Sequence, residues 1–330
     1  MTNIVYLDNN ATTKVDPLVL EAMLPFFSEY YGNPSSMHSF GGGVAAHIRT
    51  AREQLARLLG ASADEIVFTS CGTESDSTAI RAAIESYPAK RHLVTSRVEH
   101  PAVKNLFETL SKKGYRTTFV PVDGQGRLDL DALYDSLSED TAIVSLMWAN
   151  NETGVIFPIE EVSRRVKERG IVFHTDAVQA VGKIPIDLAD TGVDMLSLSG
   201  HKIHGPKGIG ALYIRKGTKF APFMIGGHQE KGRRGGTENT AAIIGLGKAA
   251  ELAKRHLDAG AYRYVAELRS RLEAQLLERI PNTLVNGDRT HRLPNTTSLS
   301  FEYVEGESIL LMLNEHGICA SSGSACTSGS

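Results

Sequence analysis

Three cysteines among 330 residues are too few to frame a fold built on disulfides. Cys71, Cys319 and Cys326 are odd in number and lack paired metal-ligand spacing, so no resident metal is expected and a cysteine that matters acts as a thiol. Long apolar runs are missing too. A membrane-spanning helix needs roughly 18 such residues, and the best run, 142–149, is strand-length and carries Ser145. Neither sign of charge dominates. The formal net charge is −3, and basic residues cluster only in short pairs such as Arg164-Arg165 and Arg233-Arg234, which leaves no electrostatic footprint for nucleic acid. The first eight residues lack the basic region and apolar stretch of a secretory signal. These absences predict a cytoplasmic protein with neither nucleic acid nor membrane as partner.

What is present is an ordinary folding composition, 42% hydrophobic and 22% charged. The length exceeds what one hydrophobic core supports. We therefore expect a large domain over 15–255 and a smaller α+β domain from 1–14 with 256–330. Between 65 and 214, short apolar runs (66–69, 92–96, 117–120, 142–148, 171–174, 195–198 and 210–214) alternate with helical patterns (74–85, 102–112, 130–137 and 159–169). That rhythm predicts an α/β fold, a mostly parallel seven-stranded sheet with helices on both faces. Ligands of such sheets bind beyond the carboxyl ends of the strands. After Thr237 the rhythm changes to two long helices, 238–256 and 262–279, the second with Val265, Leu268, Leu272 and Leu276 on one face. A strand over 298–303 and a helix over 307–316, stopped by Gly317, follow.

Chemistry concentrates where strands end. Lys202 follows the strand 195–198 in a turn, Ser199-Gly200-His201-Lys202. By itself it fits a solvated loop lysine as well as a Schiff-base lysine, whose amine must be held near neutral pKa. Asp176 follows the strand 171–174 and could face the same ligand, or simply cap a helix. Pyridoxal 5′-phosphate would need such a lysine for its aldehyde and such a carboxylate for its ring nitrogen, with Gln179 able to donate to the phenolic oxygen. Between strand 66–69 and the next helix, Gly72 permits close backbone approach and Thr73 adds a hydroxyl at the positive helix end. This suits an anion and equally an ordinary capped turn. No strand–Gly-x-Gly-x-x-Gly–helix order exists, which disfavours a dinucleotide fold. His100 could stack on a cofactor ring and relay protons, and Asn151 could hold a substrate carboxylate. Cys71 and Cys319 read as buried small residues. Cys326, set among serines and glycines, reads as a mobile, reactive thiol.

Taken in order, 6–13 (Tyr-Leu-Asp-Asn-Asn-Ala-Thr-Thr), 32–36 (Gly-Asn-Pro-Ser-Ser), 69–76, 98–101 (Val-Glu-His-Pro), 150–154 (Asn-Asn-Glu-Thr-Gly), 174–179, 199–202, 234–239 (Arg-Gly-Gly-Thr-Glu-Asn) and 321–330 resemble the cysteine desulfurases of the NifS type, a branch of the fold-type I pyridoxal-phosphate enzymes. The resemblance implies that Lys202 holds the cofactor and moves the substrate's α-proton, with His100 stacked on the ring. Asp176 and Gln179 match the partners of ring nitrogen and phenolic oxygen. Gly72, Thr73, Ser199 and His201 match the phosphate cup, and Thr237 a threonine that reaches the neighbouring subunit's phosphate, which implies a homodimer. Asn151 and Asn10 would contact the substrate, L-cysteine. Cys326 would attack the substrate sulfur, leaving alanine and a persulfide for an iron–sulfur scaffold protein that serves nitrogenase; there alone would it meet an iron–sulfur cluster.

Family members continue beyond a position matching Ser330 and carry there an arginine for the substrate carboxylate, so the sequence reads as C-terminally truncated. Three rivals share parts of this pattern. An aminotransferase would have no use for the Cys326 loop, and a selenocysteine lyase would depend on that thiol only weakly. A catalytically impaired scaffold-docking module has no physical need to keep Lys202, Asp176, His100 and Cys326 together.

Overall fold

A computed structural model of the protein describes residues 4–323. Within them the strands are β1 (Val5–Tyr6), β2 (Ile66–Thr69), β3 (His92–Ser96), β4 (Arg116–Val120), β5 (Thr141–Met147), β6 (Val172–Asp176), β7 (Met195–Ser199), β8 (Gly210–Ile214), β9 (Thr283–Val285), β10 (Leu299–Phe301) and β11 (Ile318–Cys319). The helices are α1 (Pro17–Met23), α2 (Pro25–Ser28), α3 (Ser39–Leu59), α4 (Gly72–Ser86), α5 (Pro101–Lys112), α6 (Leu130–Ser136), α7 (Ile159–Glu168), α8 (Thr240–Asp258), α9 (Ala261–Arg279) and α10 (Gly306–Glu315).

Seven strands form one sheet in the order β2-β8-β7-β6-β5-β3-β4. The pairs from β4 to β7 are parallel, while β8 runs antiparallel to both β7 and β2. Side chains alternate across it, as strand geometry requires. On β2, Ile66 and Phe68 enter one core cluster and Val67 the other; on β8, Ala211 and Tyr213 part from Leu212 and Ile214 in the same way. Burial on both faces is why these strands read as continuous apolar runs rather than alternating ones.

Local chemistry sets the helix ends. His100 caps α5, its Nδ1 accepting the Ala102 N–H at 3.2 Å, with Pro101 in the first turn. Gly60, at φ +63°, closes α3. The helices α3 and α8 lie unusually close, because a Cβ on Gly247 would sit 2.5 Å from both Cα and Cβ of Ala51. Two elements differ informatively from expectation. The strand expected over 171–174 runs on to Asp176, which pairs with Met147 on one side and Ser197 on the other, so Asp176 is a strand residue. On α9, Val265, Leu268 and Leu272 are not buried but line a cleft.

Beyond the sheet, β1 pairs in parallel with β11, and β9 pairs with β10. Among the described residues no helix is long and apolar enough to cross a membrane.

Candidate active site

The carboxyl ends of β3, β5, β6 and β7 open into a cleft of about 1310 Å³, the place where parallel sheets bind ligands. His100, Asn151, Asp176, Gln179, Ser199, His201, Lys202, Gly72, Thr73 and Asn10 all line it. Ten positions spread from 10 to 202 in the sequence thus meet in one space. Thr237 does not join them; it is exposed on the loop whose Arg234 holds Glu74 of α4 (Nε–Oε1 2.8 Å). Cys326 lies outside the described residues.

Lys202 is fixed by the N-terminal segment. Its Nζ donates to the Ala11 carbonyl at 2.9 Å and to the Asn10 carbonyl. The backbones are stitched alongside: Thr13 N–H and Oγ1 both donate to the His201 carbonyl at 2.9 Å, and the His204 N–H donates to Thr13 Oγ1 at 2.8 Å. Asn10 is itself gripped by later residues, donating from Nδ2 to Thr296 Oγ1 (3.0 Å) and the Asn151 carbonyl (3.1 Å), and accepting from Asn295 Nδ2 (3.2 Å). Asn150 shapes the turn that carries Asn151. Its Oδ1 accepts the Glu152 and Thr153 N–H groups, and its Nδ2 donates to the Val98 carbonyl, two residues before His100.

Asp176 is 7% exposed, and its Oδ1 accepts the Val178 N–H at 2.9 Å. The expected alternative, a helix cap, does not hold, since a turn and not a helix follows Asp176 directly; its carboxylate accepts within that turn and faces the cleft. Burial pushes its carboxyl up, against the Val178 N–H, His100 and Lys202. The His100 ring is pushed down by burial and by Lys202 although Asp176 pulls it up. Around Asp176 lie two further buried acids absent from the sequence-derived candidates. Among the described residues Asp76, 1% exposed, has no hydrogen bond at Oδ1, which lies 3.6 Å from His174 Nε2, and burial raises it well above its ordinary value. Glu99 binds Ser96 Oγ and the Met147 N–H through Oε1, and burial raises it to about 8. Three acids in so dry a place cannot all ionise. His174, buried between Ser145 Oγ (2.8 Å) and Ser197 Oγ (2.9 Å), is driven to about 3 and stays neutral. The signal for Asp76 was its position one turn after Thr73, on the face of α4 that buries Ala79 and Ile80.

Cys71 departs from expectation. It is half-buried and lines the cleft, because it stands at the N-cap of α4 in extended backbone and its side chain makes no capping bond. Cys319 is half-buried as well, on the short strand β11 rather than in a core. The uncapped start of α4 leaves N–H groups with a positive end dipole toward the cleft. A Cβ on Gly72 would meet Val178 Cγ2 at 3.0 Å, so glycine keeps that cradle open.

A lysine amine, a buried carboxylate, an imidazole, a carboxamide and an uncapped helix start are the donor set pyridoxal phosphate needs for aldehyde, ring nitrogen, ring face, phenolic oxygen and phosphate. The residues fit that group.

A family model described as aminotransferase class-V matches residues 5–330. The chain is 62% identical to a cysteine desulfurase of Trichormus azollae over 99% of its own length and 82% of that protein's. It is 58% identical to the cysteine desulfurase NifS of Azotobacter vinelandii, over 99% and 81%. A solved NifS-like protein superposes with a TM-score of 0.94 at 42% identity, covering 98% of this chain and 89% of that one.

Proposed function

The chain belongs to the aminotransferase class-V family, among its cysteine desulfurases of the NifS type, and we propose that it works through pyridoxal 5′-phosphate on Lys202 and a sulfur-accepting Cys326. The observation that carries this reading is the meeting of Lys202, Asp176 and His100 in one cleft at the carboxyl ends of neighbouring strands.

In that reading Lys202 holds the cofactor, and Asp176 and Gln179 take its ring nitrogen and phenolic oxygen. Gly72, Thr73, Ser199 and His201 receive its phosphate. The bound cofactor supplies an electron sink for the pair left behind when the α-proton departs. The chain's residues do the rest. Asn151 and Asn10 orient the substrate cysteine, and the Lys202 amine takes the proton from its α-carbon. The Asn10 and Ala11 carbonyls hold that amine on the cleft side of its turn. His100 moves protons at the substrate sulfur. The buried acids Asp76 and Glu99, kept neutral, leave Asp176 as the carboxylate that bears charge.

Cys326 Sγ, as thiolate, then attacks the substrate sulfur: an S–S bond forms, and the C–S bond breaks with its electron pair going to the substrate carbon side. A proton added at the β-carbon, together with the proton Lys202 returns to the α-carbon, completes alanine. Cysteine and an enzyme thiol become alanine and an enzyme persulfide, with atoms and electrons balanced. An iron–sulfur scaffold protein serving nitrogenase is the acceptor we propose; in vitro a dithiol reductant takes its place, reducing the persulfide to thiol and sulfide while it is itself oxidised to a disulfide. Thr237, exposed on its loop, suits a contact to the partner phosphate in a homodimer. A smaller domain of 1–14 with 256–330 against 15–255 is supported by the β1–β11 pairing, and a cytoplasmic setting suits a thiol that must stay reduced.

The test is alanine and sulfide release from L-cysteine with pyridoxal phosphate and dithiothreitol. Equal amounts of both, lost in Cys326→Ala while the yellow colour persists, are expected. Absence of colour in the loaded wild type would overturn the role of Lys202.

A further inference from the structure

We propose that Lys183 is a positioning residue that fixes which end of the Gln179 carboxamide faces the cleft. A carboxamide has an accepting oxygen and a donating nitrogen of nearly equal size, so its orientation must be imposed by its neighbours. Here both ends are specified. Lys183 Nζ donates to Gln179 Oε1 at 2.8 Å, and Gln179 Nε2 donates to the Asn10 carbonyl at 2.9 Å. An ammonium has no lone pair and a carbonyl has no hydrogen. Each neighbour therefore demands the same orientation, and a flipped amide would set donor against donor at one end and lone pair against lone pair at the other.

The Lys183 backbone is held as firmly. Its N–H donates to the Ala180 carbonyl at 3.0 Å, and a Cβ on Gly182 would meet Ile203 Cγ2 at 2.9 Å and Ala253 Cβ at 3.2 Å. Among the described residues Lys183 has no ion pair with a carboxylate, so the carboxamide is its named side-chain partner. Burial, with Lys202 nearby, brings its amine down to about 7. Either protonation state keeps N–H donors for Oε1.

The consequence concerns the second N–H of Nε2. Gln179 is 5% exposed and lines the cleft beside Asn10 and Lys202. Set this way, it offers the ligand a donor; flipped, it would offer a lone pair. This rests on the proposed placement of pyridoxal phosphate with its phenolic oxygen at Gln179. A donor there stabilises the ionised oxygen, so loss of orientation raises the pH midpoint of the cofactor's visible band.

The experiment uses the full chain loaded with pyridoxal phosphate. Borohydride trapping and peptide mass first establish cofactor on Lys202; failure there in the wild type defeats the earlier reading, not this one. We expect Lys183→Met to raise the spectral midpoint by about 0.5–1 pH unit, the worth of one hydrogen bond. Lys183→Arg, which also only donates, restores the wild-type midpoint. In a Gln179→Leu background Lys183→Met adds nothing. A midpoint unchanged in Lys183→Met, or an equal further shift in the Gln179→Leu background, overturns the proposal. Should Lys183→Met fail to fold, Lys183→Arg decides: a midpoint displaced as far as that of Gln179→Leu overturns it.

Discussion

Arg52 and Glu230, 178 residues apart, meet in a two-pronged ion pair, Nη1 to Oε2 at 2.6 Å and Nη2 to Oε1 at 2.7 Å. Arg52 also donates to the Ile66 carbonyl, and Glu230 accepts the Phe68 N–H, so both ends are tied to β2. Glu230 and Lys231 stand at φ +49° and +58°, where side chains cost about 1–3 kcal/mol each. The pair holds this strained turn, and the loop with Arg234 and Thr237 starts from it.

Arg52→Ala leaves a buried, uncompensated carboxylate, and we expect it to cost about 3–5 kcal/mol in urea unfolding. Arg52→Lys, lacking the planar fork, restores little. An unfolding curve of Arg52→Ala that overlays the wild type would refute this account of the turn.

Gly247→Ala drives a methyl into the Ala51 backbone at 2.5 Å, where no side chain can swing aside. The expected cost is about 1–3 kcal/mol. Gly124→Ala, with nothing within 4 Å, stays within about 0.5 kcal/mol. Equal melting temperatures for the two variants would contradict the close α3–α8 approach.

Glu99 holds a proton in the native state up to about pH 8 and releases it near 4.3 when unfolded. Between those values the folded state binds more protons, so the Glu99 contribution is complete at acid pH and shrinks as pH rises, by about 1.4 kcal/mol per unit at most. Glu99→Gln keeps the acceptor for Ser96 and Met147 and has no proton to lose. Its stability relative to wild type should therefore improve steadily from pH 5 to pH 8. His174 works with the opposite sign. It stays neutral while the unfolded ring takes a proton below about 6.5, so His174→Asn should flatten the loss of stability on acidification. Wild type and variants with parallel pH profiles would count against both assignments.

Asp176→Asn retains an oxygen for the Val178 N–H but removes the charge. The fold should persist, with a thermal transition near that of wild type, while kcat falls about 10²–10³-fold, the scale of losing one preorganised electrostatic contact. Desulfuration at the wild-type rate would show that the cleft needs no anion there.

Much of this arrangement was legible because it is local. Strands buried on both faces announce themselves as apolar runs, and β2, β3 and β8 lie where those runs do. His100, Asp176 and Lys202 could be placed together because they end or follow strands of one sheet. Asp176 proved part of its strand because its two neighbours, not its own propensity, extend the ladder. Cys71 looked like core from its type alone, yet its helix-cap position turns it to the cleft. The apolar face of α9 was correctly periodic, but periodicity does not say what the face meets. Hardest to foresee were contacts made by main-chain atoms, such as the Asn10 carbonyl that serves both Gln179 and Lys202, since every residue carries one. The Gln179–Lys183 bond, by contrast, spans four residues, and a short-range signal for it existed.

The grip on Asn10 has a consequence for the order in which the protein is made. Asn10 leaves the ribosome long before Asn295 and Thr296, which hold it and emerge 285 and 286 residues later. At about 5–20 residues per second, that interval lasts on the order of tens of seconds. The sheet and the Lys202 turn can form meanwhile, but the wall behind the lysine amine cannot set until nearly the whole described chain has been synthesised. Completion of that wall is thereby deferred until Asn295 and Thr296 have been made.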